Sequence, residues 1–271
     1  MKLAEIAIDN FRTFRNQTTI DLTDTYTGQT NNRIIFVGTN ASGKTTLLET
    51  IVSLIKAFYG EEDELFQYLV SEANGASITF SSEDDSRFGL SLNKNKLSKK
   101  GQGEIPYFIY FPGNRSFNFE TVSNKLDPTW GYEYSFHSDL IKDRLQSGLG
   151  ELSSKFFAGR TLAISDSGFT LTVSENNPKA IPLNKIPAGE KQALILLTII
   201  DKYLKPNSIV IIDEFELSLH PTAQRRLFYL LSEKLLETNS QLIIATHSIE
   251  IVRLAKETEV FSLDEICGGV R

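Results

Sequence analysis

The 271-residue chain predicts an α/β protein in which helices wrap a mostly parallel sheet. Three short apolar runs, residues 34–37, 209–212 and 242–245, have the length and composition of strands buried on both faces. The first two runs each lead, through a few polar residues, into a segment whose apolar residues recur with the helical period. Buried strands that alternate with amphipathic helices are typical of a parallel sheet.

A phosphate-binding motif follows the first apolar run. Residues 38–46 match the Walker A pattern G-x-x-x-x-G-K-[ST] without a mismatch. Glycines let backbone N–H groups turn around a phosphate, and the start of the next helix adds partial positive charge. We therefore expect Lys44 to reach the β- and γ-phosphates of ATP and the Thr45 hydroxyl to take one position on Mg²⁺. The predicted nucleotide contacts in this motif are Gly38, Asn40, Ala41, Ser42, Gly43, Lys44, Thr45 and Thr46.

The second apolar run ends in an acidic pair, Asp213 and Glu214. A buried strand that delivers two carboxylates to the carboxyl edge of a parallel sheet is the Walker B arrangement. An acidic pair after a strand is common, but here a helix opened by Pro221 follows, as the fold requires. We expect Asp213 to hold Mg²⁺ and Glu214 to polarise the attacking water as a general base.

The third apolar run ends at Thr246 and His247. A lone histidine is more often a surface or satisfied core residue. At the tip of a neighbouring strand, however, an imidazole can hydrogen-bond phosphate oxygens or the attacking water. The position favours the second interpretation, so the predicted catalytic residues are Lys44, Glu214 and His247.

A glycine-containing helix start lies one helix upstream of the acidic pair. Residues 186–192 open a largely apolar helix that we expect to reach Leu204. The amides of this first turn can hold an anion, which makes Ala188, Gly189 and Glu190 candidate nucleotide contacts. A carboxylate such as Glu190 also stabilises a helix start without touching any ligand.

Taken together, the motifs at Gly38, Gly189, Asp213, 216–220 and His247 resemble the SMC, RecF and OLD branch of ABC ATPases. The stretch 8–14 and the wording of residues 213–221 favour this branch over the transporter branch. The resemblance covers about residues 1–60 and 180–262. It implies a P-loop NTPase fold of ABC type in which two copies pair head to tail around ATP. Each ATP would be held by the Walker motifs and His247 of one copy and by Gly189 and Glu190 of the other.

The resemblance has one departure. Pro187 stands where the signature of that family usually has Ser, so a hydroxyl donor to the γ-phosphate in the partner's site is missing. A lost donor to developing charge costs on the order of 10²–10³ in rate. We therefore expect slow ATP hydrolysis.

The chain divides into a core of residues 1–60 and 180–271 and a small α+β lobe of residues 61–179, inserted between Walker A and the signature. The expected elements of the lobe are strands at 77–80, 88–92 and 105–111, a helix from about residue 139 toward 157, and a hairpin at 161–173. The insert is too short for the long coiled coil of SMC-type proteins.

Two features of the lobe have alternative interpretations. Arg115 is a candidate phosphate or subunit-interface contact, or a surface arginine that caps a turn. The aromatic segment 117–136 is either core of the lobe or a docking surface with Trp130 as its anchor.

Composition limits the partners. The net charge of −6 argues against broad nucleic-acid coating. The lysines between residues 94 and 100 predict a solvated loop, with a local basic patch as the alternative. Cys267 is the single cysteine, which excludes an internal disulfide or a cysteine-based metal site. No apolar run approaches the ~20 residues of a membrane span and no signal region is evident, so we expect a cytoplasmic protein without a membrane partner.

The function that these observations favour is a slowly hydrolysing ABC-type ATPase that dimerises around ATP and Mg²⁺. A compact ATPase without a visible effector domain suggests control of a separately encoded effector or nuclease, as in anti-phage defence or stress systems. Two alternatives stay open. One is a RecF-like DNA-repair ATPase that binds nucleic acid directly. The other is a non-catalytic scaffold that ATP assembles.

Overall fold

The computed structural model of the protein describes residues 1–84, 86–113, 131–133, 150–158, 162–165, 168–174, 177–182 and 185–267. In chain order the elements are β1 (Lys2–Asp9), β2 (Thr18–Asp21), β3 (Arg33–Val37), α1 (Lys44–Phe58), α2 (Glu64–Glu72), β4 (Gly75–Ser81), β5 (Arg87–Asn93), β6 (Lys96–Gly101), β7 (Phe108–Phe111), β8 (Gly131–Glu133), α3 (Glu151–Phe156), β9 (Leu162–Ser165), β10 (Gly168–Ser174), β11 (Asn177–Pro182), α4 (Ala188–Tyr203), β12 (Ile209–Ile212), α5 (Pro221–Glu237), β13 (Gln241–Thr246), α6 (Ile249–Val252), a 3₁₀ turn (Glu257–Glu259), β14 (Val260–Ser262) and α7 (Leu263–Ile266).

A six-stranded parallel sheet forms the centre, with the strand order β14-β3-β13-β12-β7-β8. Every residue of β12 and β13 is buried, as expected for strands covered on both faces. Because side chains alternate along a strand, β3 divides its residues between two cores. Ile34 and Phe36 pack on the side of α1, whereas Ile35 packs on the side of α4 and α5. The predicted α/β fold with a parallel sheet is confirmed.

A five-stranded antiparallel sheet covers the α1 side of the molecule, with the order β2-β1-β4-β5-β6. Gln241, which is fully buried at the start of β13, connects this antiparallel sheet to the central sheet. Its side-chain oxygen accepts from the Leu3 amide (2.8 Å), and its side-chain nitrogen donates to the carbonyls of Leu3 (3.0 Å) and Asn31 (2.8 Å). A short antiparallel sheet, β11-β10-β9, precedes α4.

The lysine-containing segment between residues 94 and 100, predicted as a solvated loop, is largely a strand. The lysines at 96, 99 and 100 belong to β6, the edge strand beside β5, and Lys94 lies in the turn between the two. Both turn residues, Lys94 and Asn95, have positive φ (44° and 66°), as two-residue hairpin turns favour. β1, β2, β8, β11 and β14 are further strands that the sequence patterns did not predict, and β7 is shorter than the expected 105–111.

Each of the two larger sheets combines strands from both sides of the predicted domain boundaries at residues 60 and 180. β4, β5 and β6 come from the range 61–179, yet they pair with β1, and β7 lies inside the central sheet. The domain division stays a prediction. Of the expected helix from 139 to 157, α3 is the described part. Arg115, Trp130 and nearly all of the aromatic segment 117–136 lie outside the described residues.

In the described part of the chain, none of the helices combines the length and the apolar character that a bilayer span demands.

Candidate nucleotide-binding site

The Walker A loop connects the carboxyl end of β3 to the first residue of α1. Gly43, at the N-cap of α1, has a φ of 102°, which L side chains rarely adopt. A Cβ at Gly43 would also press on the Thr13 hydroxyl and the Phe14 ring. This position therefore requires glycine both for its backbone conformation and for close packing. Thr13 and Phe14, in the stretch 8–14, pack against the loop at this point.

Lys44 is nearly buried inside its own loop. Its Nζ donates to the carbonyl oxygens of Gly38 (2.9 Å) and Thr39 (2.9 Å) and to Ser42 Oγ (3.3 Å). Burial lowers the pKa of Lys44, and the carboxylates of Asp213 and Asp264 act in the opposite direction. A desolvated ammonium held by loop carbonyls is available to exchange one of them for a phosphate oxygen.

The exposed residues Asn40 and Ala41 form the outer part of the loop, and Ala41 has a φ of 64°. Thr46 lies buried in the first turn of α1. The loop thus holds all the residues expected around a phosphate in one short segment at the edge of the sheet.

Thr45 and Asp213 meet at the carboxyl edge of the sheet. The Thr45 hydroxyl donates to Asp213 Oδ2 at 2.8 Å, although 168 residues separate them. Asp213 is buried and its amide continues the sheet by donating to the Phe111 carbonyl (2.9 Å). A hydroxyl and a carboxylate are the oxygen donors that Mg²⁺ prefers, and few protein ligands suffice because Mg²⁺ keeps several waters. The pair fits Mg²⁺. In the described residues no group of three or more His, Cys, Asp or Glu gathers into a metal cage.

Glu214 is exposed and has a φ of 45°. A non-glycine residue in the left-handed region is uncommon and concentrates at functional sites. Its amide donates to Asp213 Oδ1 (3.0 Å), which holds the turn. A Cβ at Gly113 would come within 3.1 Å of Asp213 Oδ2, so glycine at that position keeps the space beside the acidic pair free. An exposed carboxylate beside the Mg²⁺ ligands can accept a proton from water.

Glu216 connects the loop after β12 to the tip of β13. Its carboxylate accepts from the Thr246 hydroxyl (2.5 Å) and from the His247 amide (2.7 Å). His247 itself is exposed at the end of the strand, where the sequence predicts it. The sequence patterns included Glu216 only as part of a loop, because nothing local indicates that its carboxylate reaches another strand.

The start of α4 carries the predicted signature. Pro187 is the N-cap residue, no side chain caps the helix, and Ala188 is exposed in its first turn next to Gly189 and Glu190. The resemblance implies that Gly189 contacts the ATP held by the partner. In the structure a Cβ at Gly189 would collide with the Ser218 carbonyl of the same chain. The glycine is thus already required by packing within one chain.

Asp264 is a further residue beside the Walker A loop that the sequence patterns missed. Its carboxylate accepts from the Thr39 amide and from the Thr39 hydroxyl, both at 2.8 Å. The Thr39 hydroxyl, and next the Thr39 amide, lower the pKa of Asp264. The structure therefore brings the predicted Lys44, Thr45 and Asp213 together with an unpredicted carboxylate.

Comparison with protein families identifies the chain. A family model described as "AAA domain, putative AbiEii toxin, Type IV TA system" matches residues 111–253, which is more than half of the 271 residues. The chain belongs to this AAA family. A second model, described as "AAA ATPase domain", matches residues 1–100 of the AAA-family chain. No curated protein matches it in sequence.

Solved structures agree on the fold of this AAA-family ATPase. The SMC head domain from Thermotoga maritima aligns with a TM-score of 0.54 at 18% identity, over 97% of this chain and 94% of that one. An SMC head bound to the C-winged helix domain of ScpA aligns with a TM-score of 0.63 at 15% identity over the same shares. The AAA-family domain thus shares the P-loop NTPase fold of the SMC head domains.

Proposed function

We propose that the protein binds Mg²⁺ and ATP through Walker A and Walker B and hydrolyses ATP slowly. The observation that carries this proposal is the contact between Thr45 and Asp213 beside the buried Lys44. Three residues from two distant segments thereby offer a cation and two oxygen donors at one edge of the parallel sheet. This is the edge at which open α/β sheets bind their ligands.

In the proposed reaction Lys44 binds the β- and γ-phosphate oxygens and neutralises developing charge. Thr45 and Asp213 would hold Mg²⁺, which when bound supplies charge neutralisation between the phosphates. Glu214 takes the proton of the attacking water. His247, whose backbone Glu216 fixes, donates a hydrogen bond to the γ-phosphate or orients that water.

We further propose that two copies pair head to tail, with the first turn of α4 binding the γ-phosphate held by the other copy. The start of α4, which no side chain caps and at which Ala188 is exposed, supports this arrangement, because a helix start attracts anions. Pro187 contributes no hydroxyl, which supports slow turnover. Arg115 remains a proposed further phosphate or interface contact.

Pairing would control a separately encoded effector through the proposed lobe, residues 61–179. The description of the matched family names a toxin of a toxin–antitoxin system, and the similar SMC head was solved with a partner domain bound. Both support a protein that acts on a partner in defence or stress, with its ATP state biasing the affinity for that partner.

Two alternatives have a specific observation in their favour. Pro187 and the absence of a side-chain cap on α4 favour an ATP-assembled scaffold without turnover. The exposed lysines of the edge strand β6 favour direct nucleic-acid contact. Lysines also protect edge strands from aggregation, which explains them without a ligand.

Turnover and binding measured side by side test the proposal. Glu214→Gln keeps the shape of the side chain and removes the base, so Mg·ATP should still bind while turnover falls roughly 10²-fold or more. A wild-type protein that binds ATP without any turnover would support the scaffold. Equal turnover of wild type and variant would show that another residue is the base. A gel shift across salt concentrations tests nucleic-acid binding independently.

A further inference from the structure

The end of β14 lies beside the Walker A loop. β14 pairs in parallel with β3, and the register places Ser262 opposite Val37. Two residues beyond the end of each strand, Asp264 in α7 contacts Thr39 of Walker A. Leu263, fully buried next to Asp264, anchors α7 in the core on the α1 side.

Asp264 accepts two hydrogen bonds from Thr39. One carboxylate oxygen accepts from the Thr39 amide and the other from its hydroxyl, each at 2.8 Å. Hydrogen bonds to an ionised acceptor are roughly twice as strong as neutral ones. Two of them to one residue fix both its peptide plane and its side chain, at a position that is otherwise exposed.

The carbonyl of Thr39 continues this connection to the phosphate site. It accepts from Lys44 Nζ (2.9 Å) and from the Ser42 amide (3.2 Å). Asp264 thus acts on Lys44 through the Gly38–Thr39 peptide, whose N–H donates to the carboxylate and whose carbonyl accepts from the ammonium.

We propose that Asp264 is a positioning residue that presets the Walker A loop for the triphosphate. The proposal rests on the proposed nucleotide binding and adds a residue outside Walker A and Walker B. Fixing the backbone of a flexible residue costs conformational entropy. A loop that Asp264 already fixes does not incur that cost when ATP binds, so the affinity is higher.

The Asp264 carboxylate also has an effect that opposes ATP binding. The two effects predict opposite changes in ATP affinity for the same variant. Asp264 carries a negative charge that interacts with Lys44 and His247, so it also repels an incoming phosphate. If that repulsion dominated, Asp264→Asn would raise the affinity for ATP, most strongly at low salt. If the positioning dominates, the same variant lowers the affinity.

The experiment measures the Kd for Mg·ATP by calorimetry for wild type, Asp264→Asn, Asp264→Ala and Thr39→Val. We expect a weakening of roughly tenfold for Asp264→Ala and a smaller one for Asp264→Asn, which keeps one acceptor oxygen. Thr39→Val removes only the hydroxyl contact. When Thr39→Val is combined with Asp264→Ala, it should raise the Kd little further, because the two residues act as one unit. Glu265→Gln, an exposed neighbour on α7, is the matched control and should bind as wild type does.

Thermal unfolding of the same variants separates positioning from mere support of the fold. A lowered Tm with an unchanged Kd in Asp264→Ala would overturn the proposal, as would tighter binding by Asp264→Asn. If Asp264→Ala does not fold, Asp264→Asn and Thr39→Val carry the same comparison. Wild-type protein that fails to bind ATP would refute the proposed function itself, which distinguishes the two failures.

Discussion

Removing the Lys44 ammonium should weaken ATP binding, and the structure sets the size of the effect. In the structure Nζ has three hydrogen-bond acceptors, Gly38 O, Thr39 O and Ser42 Oγ. Binding replaces at least one of these by a phosphate oxygen, and one charge-assisted contact contributes about 1.5–3 kcal/mol. Lys44→Ala should therefore raise the Kd for Mg·ATP roughly ten- to hundredfold.

Calorimetry on folded protein measures this change directly. Lys56→Ala is the matched control, since Lys56 lies on the same helix but pairs with Asp63 (3.3 Å) instead of the loop. The control should bind ATP as wild type does. An unchanged Kd in Lys44→Ala would refute the Walker A assignment, and an equal loss in both variants would mean that the helix rather than the ammonium is responsible.

Three further predictions follow from the same geometry. Glu216→Gln retains one good acceptor oxygen for two donors, the Thr246 hydroxyl and the His247 amide. We therefore expect kcat to fall about tenfold with little change in ATP affinity. An unchanged kcat would show that Glu216 does not contribute to the chemistry. Ala188→Glu suits a helix start but places a negative charge against the partner's γ-phosphate. It should abolish ATP-driven pairing and spare nucleotide binding, whereas Ala188→Ser should pair, as judged by size-exclusion chromatography. Burial lowers the pKa of Lys44 below 10.5, so wild-type affinity should fall as pH rises toward that value, and Lys44→Ala should lack this dependence.

The parts of the site that local sequence determines could be predicted. Walker A was expected as a strand, a loop and a helix, and the structure has β3, the loop and α1 in that order. The strand before Asp213 and the strand before His247 are likewise continuous apolar runs, and both are buried throughout. Apolar runs of strand length leave few alternatives once helices flank them.

Contacts between distant segments could not be predicted. Asp264 and Thr39 are 225 residues apart, and no pattern in a single sequence indicates which carboxylate reaches a given loop. Gly189 had a functional explanation in the sequence, while the structure adds close packing on Ser218. The sequence predicts a loop at β6 because Lys, Ser and Gly dominate it, whereas the two-residue turn at Lys94 and Asn95 lets β6 pair with β5.

The mass of the Glu214→Gln protein with and without Mg·ATP tests ATP-driven pairing, the central claim, most directly. Without turnover the ATP-bound pair should accumulate. Light scattering coupled to size-exclusion chromatography should then show a change from 30.4 kDa to twice that mass on addition of ATP, and no change with ADP. A protein that binds ATP in calorimetry yet stays at 30.4 kDa at saturating nucleotide would contradict the account.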